Sequence, residues 1–272
     1  MAIVAISRKV GSLGDEIAKQ AADQLGIKVI GVSEIHQLAL ECDKELADIC
    51  RTFETELPAG FFERIFFRDP AGSSLFASLI YQQAAMGDVV IRGRGSQIVL
   101  AGQPKVLKVR IVAPFRIRVE RVAQRKGISQ DEATDYVRHY DRQRRSLIES
   151  IFQVDLNDWS LYDMVLNSAD LPQDLLAKVV CSAARELGPV GEGQKAVYAD
   201  LALAKRVEAL IKKKVPTFPA RDVEVENQGQ GRLVLTGAVL DRDAIRKAEE
   251  IAKTQAGVTE VENQLMSTDL TF

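Results

Sequence analysis

The sequence predicts an α/β protein in which a parallel sheet flanked by helices is followed by a small α+β domain of order αββαβ. Three observations predict it. Short β-branched runs alternate with longer amphipathic stretches through residue 187, the pattern of βαβ units around a parallel sheet. Four turn-formers crowd Gly188-Pro-Val-Gly-Glu-Gly-Gln194 and interrupt the helical periodicity that ends at Leu187. Beyond about Val197 the rhythm changes to that of a compact mixed module. The chain of 272 residues is long enough for two cores, so the expected domains are residues 1–187 and 197–272, joined by a linker at 188–196.

In the first domain the runs Ile3–Ile6, Lys28–Val32, Val89–Ile91, Val106–Val112 and Met164–Leu166 read as strands, and Glu16–Leu25 as a helix through Ile17, Ala21 and Leu25. In the second, Leu201–Lys214 reads as a helix, Asp222–Glu226 and Arg232–Val239 as strands around Gln228-Gly-Gln-Gly231, Arg242–Thr254 as a helix and Val258–Leu265 as a last strand. Gly237 interrupts a strand, as at a bulge, and Gly257 sits where a helix C-terminal glycine belongs. Trp159 is expected in the core, after a polar turn over Asp155–Asp158.

Composition excludes several classes. Lys and Arg total 36 against 38 acidic residues, so no global charge draws the chain to nucleic acid or anionic lipid. No apolar stretch approaches the roughly 20 residues that span a bilayer. Met1 to Ile6 is apolar only briefly and runs into Arg8 and Lys9, the reverse of a secretory leader. Cys42, Cys50 and Cys181 are read as buried thiols in a reducing cytoplasm, because His36 and His139 are the sole histidines and no metal site is expected.

The first strand ends in Ser7-Arg-Lys-Val-Gly-Ser-Leu-Gly14, and a helix follows. A strand, a glycine-bearing loop and a helix N-terminus aim unpaired amides at one point, the arrangement of a phosphate site. Asp15 and Glu16 follow the last glycine, where a Walker loop has Lys and Ser or Thr. Acidic residues also favour a helix start, so the pattern alone leaves a capped helix and a phosphate loop both open. Residues 108–145 hold eleven basic and five acidic side chains, a local +6. Arg118, Arg121 and Arg125 fall on one helical stripe and Arg138, Arg142 and Arg145 on another. Guanidinium groups clamp phosphate bidentately; the alternative is a solvated face paired with Glu120, Asp131, Glu132 and Asp135. Phe115, Tyr136 and Tyr140 give no stacking platform for single strands, so nucleic acid is not an expected partner.

Ile6-Ser-Arg-Lys-Val-Gly-Ser-Leu-Gly-Asp-Glu-Ile-Ala18 resembles the opening of the cytidylate kinase-like family, a branch of the P-loop nucleoside monophosphate kinases. The resemblance continues through Val89-Val-Ile-Arg-Gly-Arg-Gly95, Val106–Pro114, Arg118-Val-Glu-Arg121 and Tyr162-Asp-Met-Val-Leu-Asn167. It implies a P-loop-type sheet of five parallel strands, a monophosphate-binding insertion over roughly residues 33–86 and a mobile lid. It further implies an ATP-like donor, a CMP-like acceptor and Mg²⁺. The nucleotide would meet Ser7, Gly11, Ser12 and Gly14 in the loop, Arg94 at the acceptor phosphate, and Arg138, Asp141 and Arg144 in the lid helix. Arg8 or Lys9 would replace the missing loop lysine, with Arg142 and Arg145 as catalytic clamps.

Three departures fall on the chemistry. Asp15 and Glu16 replace the lysine and the Mg²⁺-binding hydroxyl, Arg92 stands where relatives often carry aspartate, and Gly95 follows Arg94 where they often carry another. Two functions follow: a phosphotransferase with a variant loop, and a catalytically silent nucleotide-sensing regulator. Leu233-Val-Leu-Thr-Gly-Ala-Val239 with Gly257-Val-Thr-Glu-Val-Glu-Asn-Gln-Leu265 resembles the BON domain, which implies a ligand-, lipid- or partner-sensing module. Lys212-Lys-Lys214 is expected to be solvated at a helix C-terminus, or to touch anionic lipid.

Overall fold

The computed structural model describes residues 2–31, 34–35, 37–38, 71–93, 95–215 and 223–267. Strands β1 (Ile3–Arg8), β2 (Lys28–Ile30), β3 (Val89–Arg92), β4 (Val106–Val112) and β5 (Met164–Asn167) form one parallel sheet in the order β2-β3-β1-β4-β5. β1 is central, with Ile3 opposite Val89 on one side and Val106 on the other. Both of its faces are covered, so Ile3 to Ile6 are wholly buried and read as a continuous apolar run rather than an alternation.

Helix α1 (Gly14–Leu25) packs Ile17, Ala21 and Leu25 against Leu176, Val180 and Ala184 of helix α6 (Gln173–Leu187), over Val4 and Ile6. Helix α3 (Ser96–Val99) follows β3. Helices α4 (Phe115–Lys126) and α5 (Gln130–Phe152) pack through Val119, Val122, Ala133 and Val137, with Val10 of the loop after β1 against the same cluster. Glu132, expected as a partner for the arginine stripe, instead completes a capping box with Ser129 at the start of α5.

The described residues divide into two compact units. One contains the five-stranded sheet and the segment 87–190; the other joins helix α2 (Ala71–Ala85) to the C-terminal region from Gly191. In the second, helix α7 (Glu192–Lys214) is followed by β6 (Glu224–Asn227), β7 (Arg232–Thr236), β8 (Ala238–Val239), helix α8 (Arg242–Lys253), β9 (Glu260–Asn263) and β10 (Met266–Ser267). β6 is antiparallel to β7, and β9 runs parallel to β7 on its other edge. Gly237, at φ 115°, splits the expected long strand into β7 and β8.

Four expectations are corrected. α7 begins at Glu192, not Leu201, because tertiary packing holds its early turns: Tyr198 is wholly buried and stacks on Tyr81 of α2 with ring centroids 6.4 Å apart. Helix α8 is capped by Thr254, and Gly257 lies beyond it in the turn to β9. Trp159 is 59% exposed on a short 3₁₀ turn; the polar turn before it does form, with Asp155 and Asp158 accepting from the amides of Asn157 and Ser160. Lys212 is neither solvated nor free for lipid, since its side chain is 8% exposed and bridges Glu208 at 2.6 Å.

Candidate functional site

The loop after β1 emerges at the carboxyl end of the sheet, between β3 and β4, where an open α/β fold receives its ligand. The Gly93 amide donates to the Ile6 carbonyl at 2.8 Å and the Lys9 amide to that of Ile111 at 3.1 Å, so both neighbouring strands fix the loop. Gly11 has φ +75°, and a Cβ there would lie 2.7 Å from the Arg118 carbonyl oxygen. Leu13, in left-handed backbone, provides no side-chain cap for α1. The first amides of α1 therefore have no intrahelical acceptor and open at the loop.

Arg8, Lys9, Val10, Gly11, Leu13, Gly14, Asp15 and Glu16 line one pocket with Arg125 of α4 and Tyr140 and Arg144 of α5. Arg8 Nε donates to Asp15 Oδ1 at 2.7 Å, and Arg92 Nη1 lies 3.5 Å from the same oxygen. Burial raises the Asp15 carboxyl, but the Arg8 and Arg92 guanidinium groups outweigh it and hold the group below its ordinary range. Arg144 Nη1 donates to the Arg8 carbonyl at 2.7 Å, which ties α5 to the loop. Burial pushes the Lys9 ammonium down; Asp141 opposes this, while Arg118, Arg110 and Arg145 add to it. Four cations, Arg8, Lys9, Arg125 and Arg144, line the pocket against two acids, Asp15 and Glu16, a surplus that a bound anion would relieve.

The expected residues that the structure describes fall into three groups. Arg8, Lys9, Gly11, Gly14 and Arg144 meet at the pocket. Ser7, Ser12 and Asp141 serve as its frame. Ser7 Oγ accepts from buried Arg110 at 2.5 Å; Ser12 Oγ, fully buried, donates to the Lys9 and Ile111 carbonyls; and Asp141 receives a two-pronged bond from Arg118 at 2.8 and 3.2 Å. Arg138, Arg142 and Arg145 are exposed on α5 outside the pocket lining, with Arg138 5.6 Å from the Phe115 ring centroid. Arg94 lies outside the described residues, as do Cys42, Cys50 and His36. Cys181 is buried.

The stripe of Arg118, Arg121 and Arg125 is not one solvated face. Arg118 is 4% exposed and also donates to the Val10 carbonyl, Arg121 holds the Ser168 and Ala169 carbonyls, and Arg125 reaches Glu16 at 3.5 Å. Arg110 and Tyr140 escaped sequence reasoning. Arg110 is, with Lys108, one of two cations in the otherwise apolar run of β4, and Tyr140 counts in the sequence only as one of three aromatics that make no stacking platform.

A parallel sheet of order 2-3-1-4-5 with a glycine loop and converging arginines at its carboxyl edge defines a P-loop-type kinase fold. Residues 3–170 match the model of the cytidylate kinase-like family, and the chain belongs to that family. Residues 199–266 match the BON domain. Cytidylate kinase of Pyrococcus horikoshii is 36% identical over 114 residues, covering 41% of this chain and 57% of that one. The chain thus spans a little over half the length of that relative. Cytidylate kinase of Methanopyrus kandleri is 28% identical over 182 residues, covering 63% of this chain and 87% of that one. A solved structure of an uncharacterized protein from Eubacterium ventriosum superposes with TM-score 0.53 at 18% identity, over 68% of this chain and 99% of that chain. Among the described residues no helix is long and apolar enough to cross a membrane.

Proposed function

We propose that the protein binds a nucleotide at the loop of residues 7–14, as a nucleoside monophosphate kinase-like phosphotransferase with an ATP-like donor and a CMP-like acceptor. One observation carries this: Arg8, Lys9, Arg125 and Arg144, drawn from three separate segments, line a single pocket with Gly11 and Gly14. Loop amides and arginines supply the phosphate clamp on which phosphoryl transfer depends. Arg94 belongs to this proposal as the acceptor contact, Arg138 as a lid contact, and Arg142 and Arg145 as catalytic clamps. Mg²⁺, the family's usual companion of ATP, fits the described residues poorly. The acid beside the loop glycine is held by Arg8 and Arg92, and the Ser12 hydroxyl is spent on two backbone carbonyls.

That misfit favours a second reading, a catalytically silent nucleotide sensor with a degenerate loop. A coupled assay of ATP consumption with CMP, dCMP and UMP, run beside thermal melting, separates the two. Diphosphate formation establishes the enzyme. A nucleotide-induced rise in melting temperature without diphosphate establishes the sensor, and no rise and no product removes both.

The C-terminal module is read as the sensing part, for a lipid or protein ligand. Helix α2, inside the family-matched region, packs in one unit with α7, which supports a link between module and kinase-like chain. The passage between units at Val190 and Gly191 supports a boundary at the start of the expected linker 188–196, whose residues from Glu192 onward belong to α7.

A further inference from the structure

Among the described residues, several side-chain oxygens near the loop that a hard cation could use are engaged by other groups. Asp15 Oδ1 is shared by Arg8 and Arg92, at 2.7 and 3.5 Å. Asp141 is forked by Arg118, Glu16 faces Arg125 at 3.5 Å, and the Ser7 and Ser12 hydroxyls are bound to Arg110 and to backbone carbonyls. Mg²⁺ demands near-octahedral oxygens at short range. Among the described residues no three carboxylate, histidine or cysteine side chains stand together to hold a metal.

The cations show the opposite surplus. Arg8, Lys9, Arg92, Arg125 and Arg144 surround two carboxylates, Asp15 and Glu16. Arg92 Nη1 adds a second guanidinium beside Asp15, 3.5 Å from the oxygen that Arg8 holds. Gly14 and Gly93 leave the Arg8 side chain its place, since a Cβ on either would collide with it. A guanidinium cluster of this kind does the neutralising work that Mg²⁺ does for a polyphosphate, and a metal-bound polyphosphate would bring it less negative charge.

We propose that the loop takes up a polyphosphate free of Mg²⁺, whose oxygens displace the Asp15 carboxylate from Arg8 and Arg92. Asp15 is then a resident counter-ion that competes with the ligand for the same donors. This rests on the nucleotide reading above but concerns how the anion is held, not whether phosphoryl transfer follows.

Calorimetric titration of the full chain with ATP and with inorganic pyrophosphate, in EDTA and in excess Mg²⁺, tests it on wild type and Asp15→Asn. Both anions should bind in EDTA at least as tightly as in Mg²⁺. Asp15→Asn should bind about tenfold more tightly, the scale of one charge-assisted hydrogen bond released to the ligand. Binding that requires Mg²⁺, or an unchanged affinity in Asp15→Asn, overturns the proposal while leaving the nucleotide site intact. Absence of binding by either protein in every condition removes the nucleotide site itself. Should Asp15→Asn fold poorly, judged by its melting curve, the wild-type comparison between EDTA and Mg²⁺ still decides.

Discussion

Ser74 Oγ donates to Glu208 Oε1 at 2.5 Å, a bond that joins α2, the helix before β3, to α7 of the C-terminal region. Glu208 is 2% exposed, and its other contacts are Lys205 and Lys212, each at 2.6 Å, and the Val225 amide. A buried carboxylate so completely partnered can stay ionised. Ser78 Oγ adds a bond to the Ala202 carbonyl at 2.8 Å, and the Tyr81–Tyr198 stack lies further along the same helix pair.

Removing Glu208 leaves Lys212 buried without its counter-ion, which typically costs about 3–5 kcal/mol. Glu208→Ala should therefore lose stability on that scale. Ser74→Ala, which deletes the bond to Glu208 and a longer one accepted from Lys212 at 3.4 Å, should lose about 1.5–3 kcal/mol. Urea unfolding followed by Tyr and Trp fluorescence measures both, and a Glu208→Ala midpoint equal to wild type would contradict the buried network.

Acid should weaken the same network. Burial raises the Glu208 carboxyl, yet Lys212 and Lys205 outweigh burial and set it below its ordinary 4.5. A carboxylate depressed on folding contributes stability that is present above its unfolded pKa and lost as pH falls through the folded one. Wild-type stability should drop below pH 4.5, and Glu208→Gln should show a shallower decline. Some slope should persist in that variant, because Asp15 is depressed from its ordinary 3.8 by Arg8 and Arg92. Unfolding titrations in a buffer series from neutral to well below those values check the sign.

Gly11→Ala and Gly14→Ala should fail differently. Alanine at Gly11 must adopt left-handed backbone, at about 1–2 kcal/mol, and press on the Arg118 carbonyl, so stability falls. Gly14 begins a helix and tolerates alanine as backbone, but its Cβ would strike Arg8 and move it from Asp15. Gly14→Ala should lose melting temperature through this collision with the Arg8 Cβ, beside the β1 backbone, and also lose the shift produced by ATP, which paired melting curves with and without ATP resolve.

Arg118→Lys tests the loop's anchor. The guanidinium forks to Asp141 and also reaches the carbonyls of Val10 and Ala113, a geometry an ammonium cannot reproduce. The variant should lose about 1.5–3 kcal/mol, the scale of a lost hydrogen bond to a charged group, and bind pyrophosphate more weakly. Chemical unfolding and calorimetry read the two effects separately.

The amino-acid sequence alone determined the five parallel strands and the αββαβ module, because strands covered on both faces must be apolar throughout and helices buried on one face must be periodic. It also determined that a glycine loop follows β1 and that arginines crowd residues 108–145. Tertiary structure decided which arginines meet that loop. Periodicity grouped Arg138, Arg142 and Arg145 and the family resemblance added Arg144; of these, α5 presents Arg144 to the pocket, held by the Arg8 carbonyl, a main-chain group that no side-chain pattern reports. Likewise Asp15 and Arg92 looked like two unrelated departures until parallel pairing of β1 and β3 set them 3.5 Å apart. Local chemistry writes strands and helices into neighbouring residues, whereas ion pairs and buried cations such as Lys212 depend on which distant segments the sheet order and helix packing bring together.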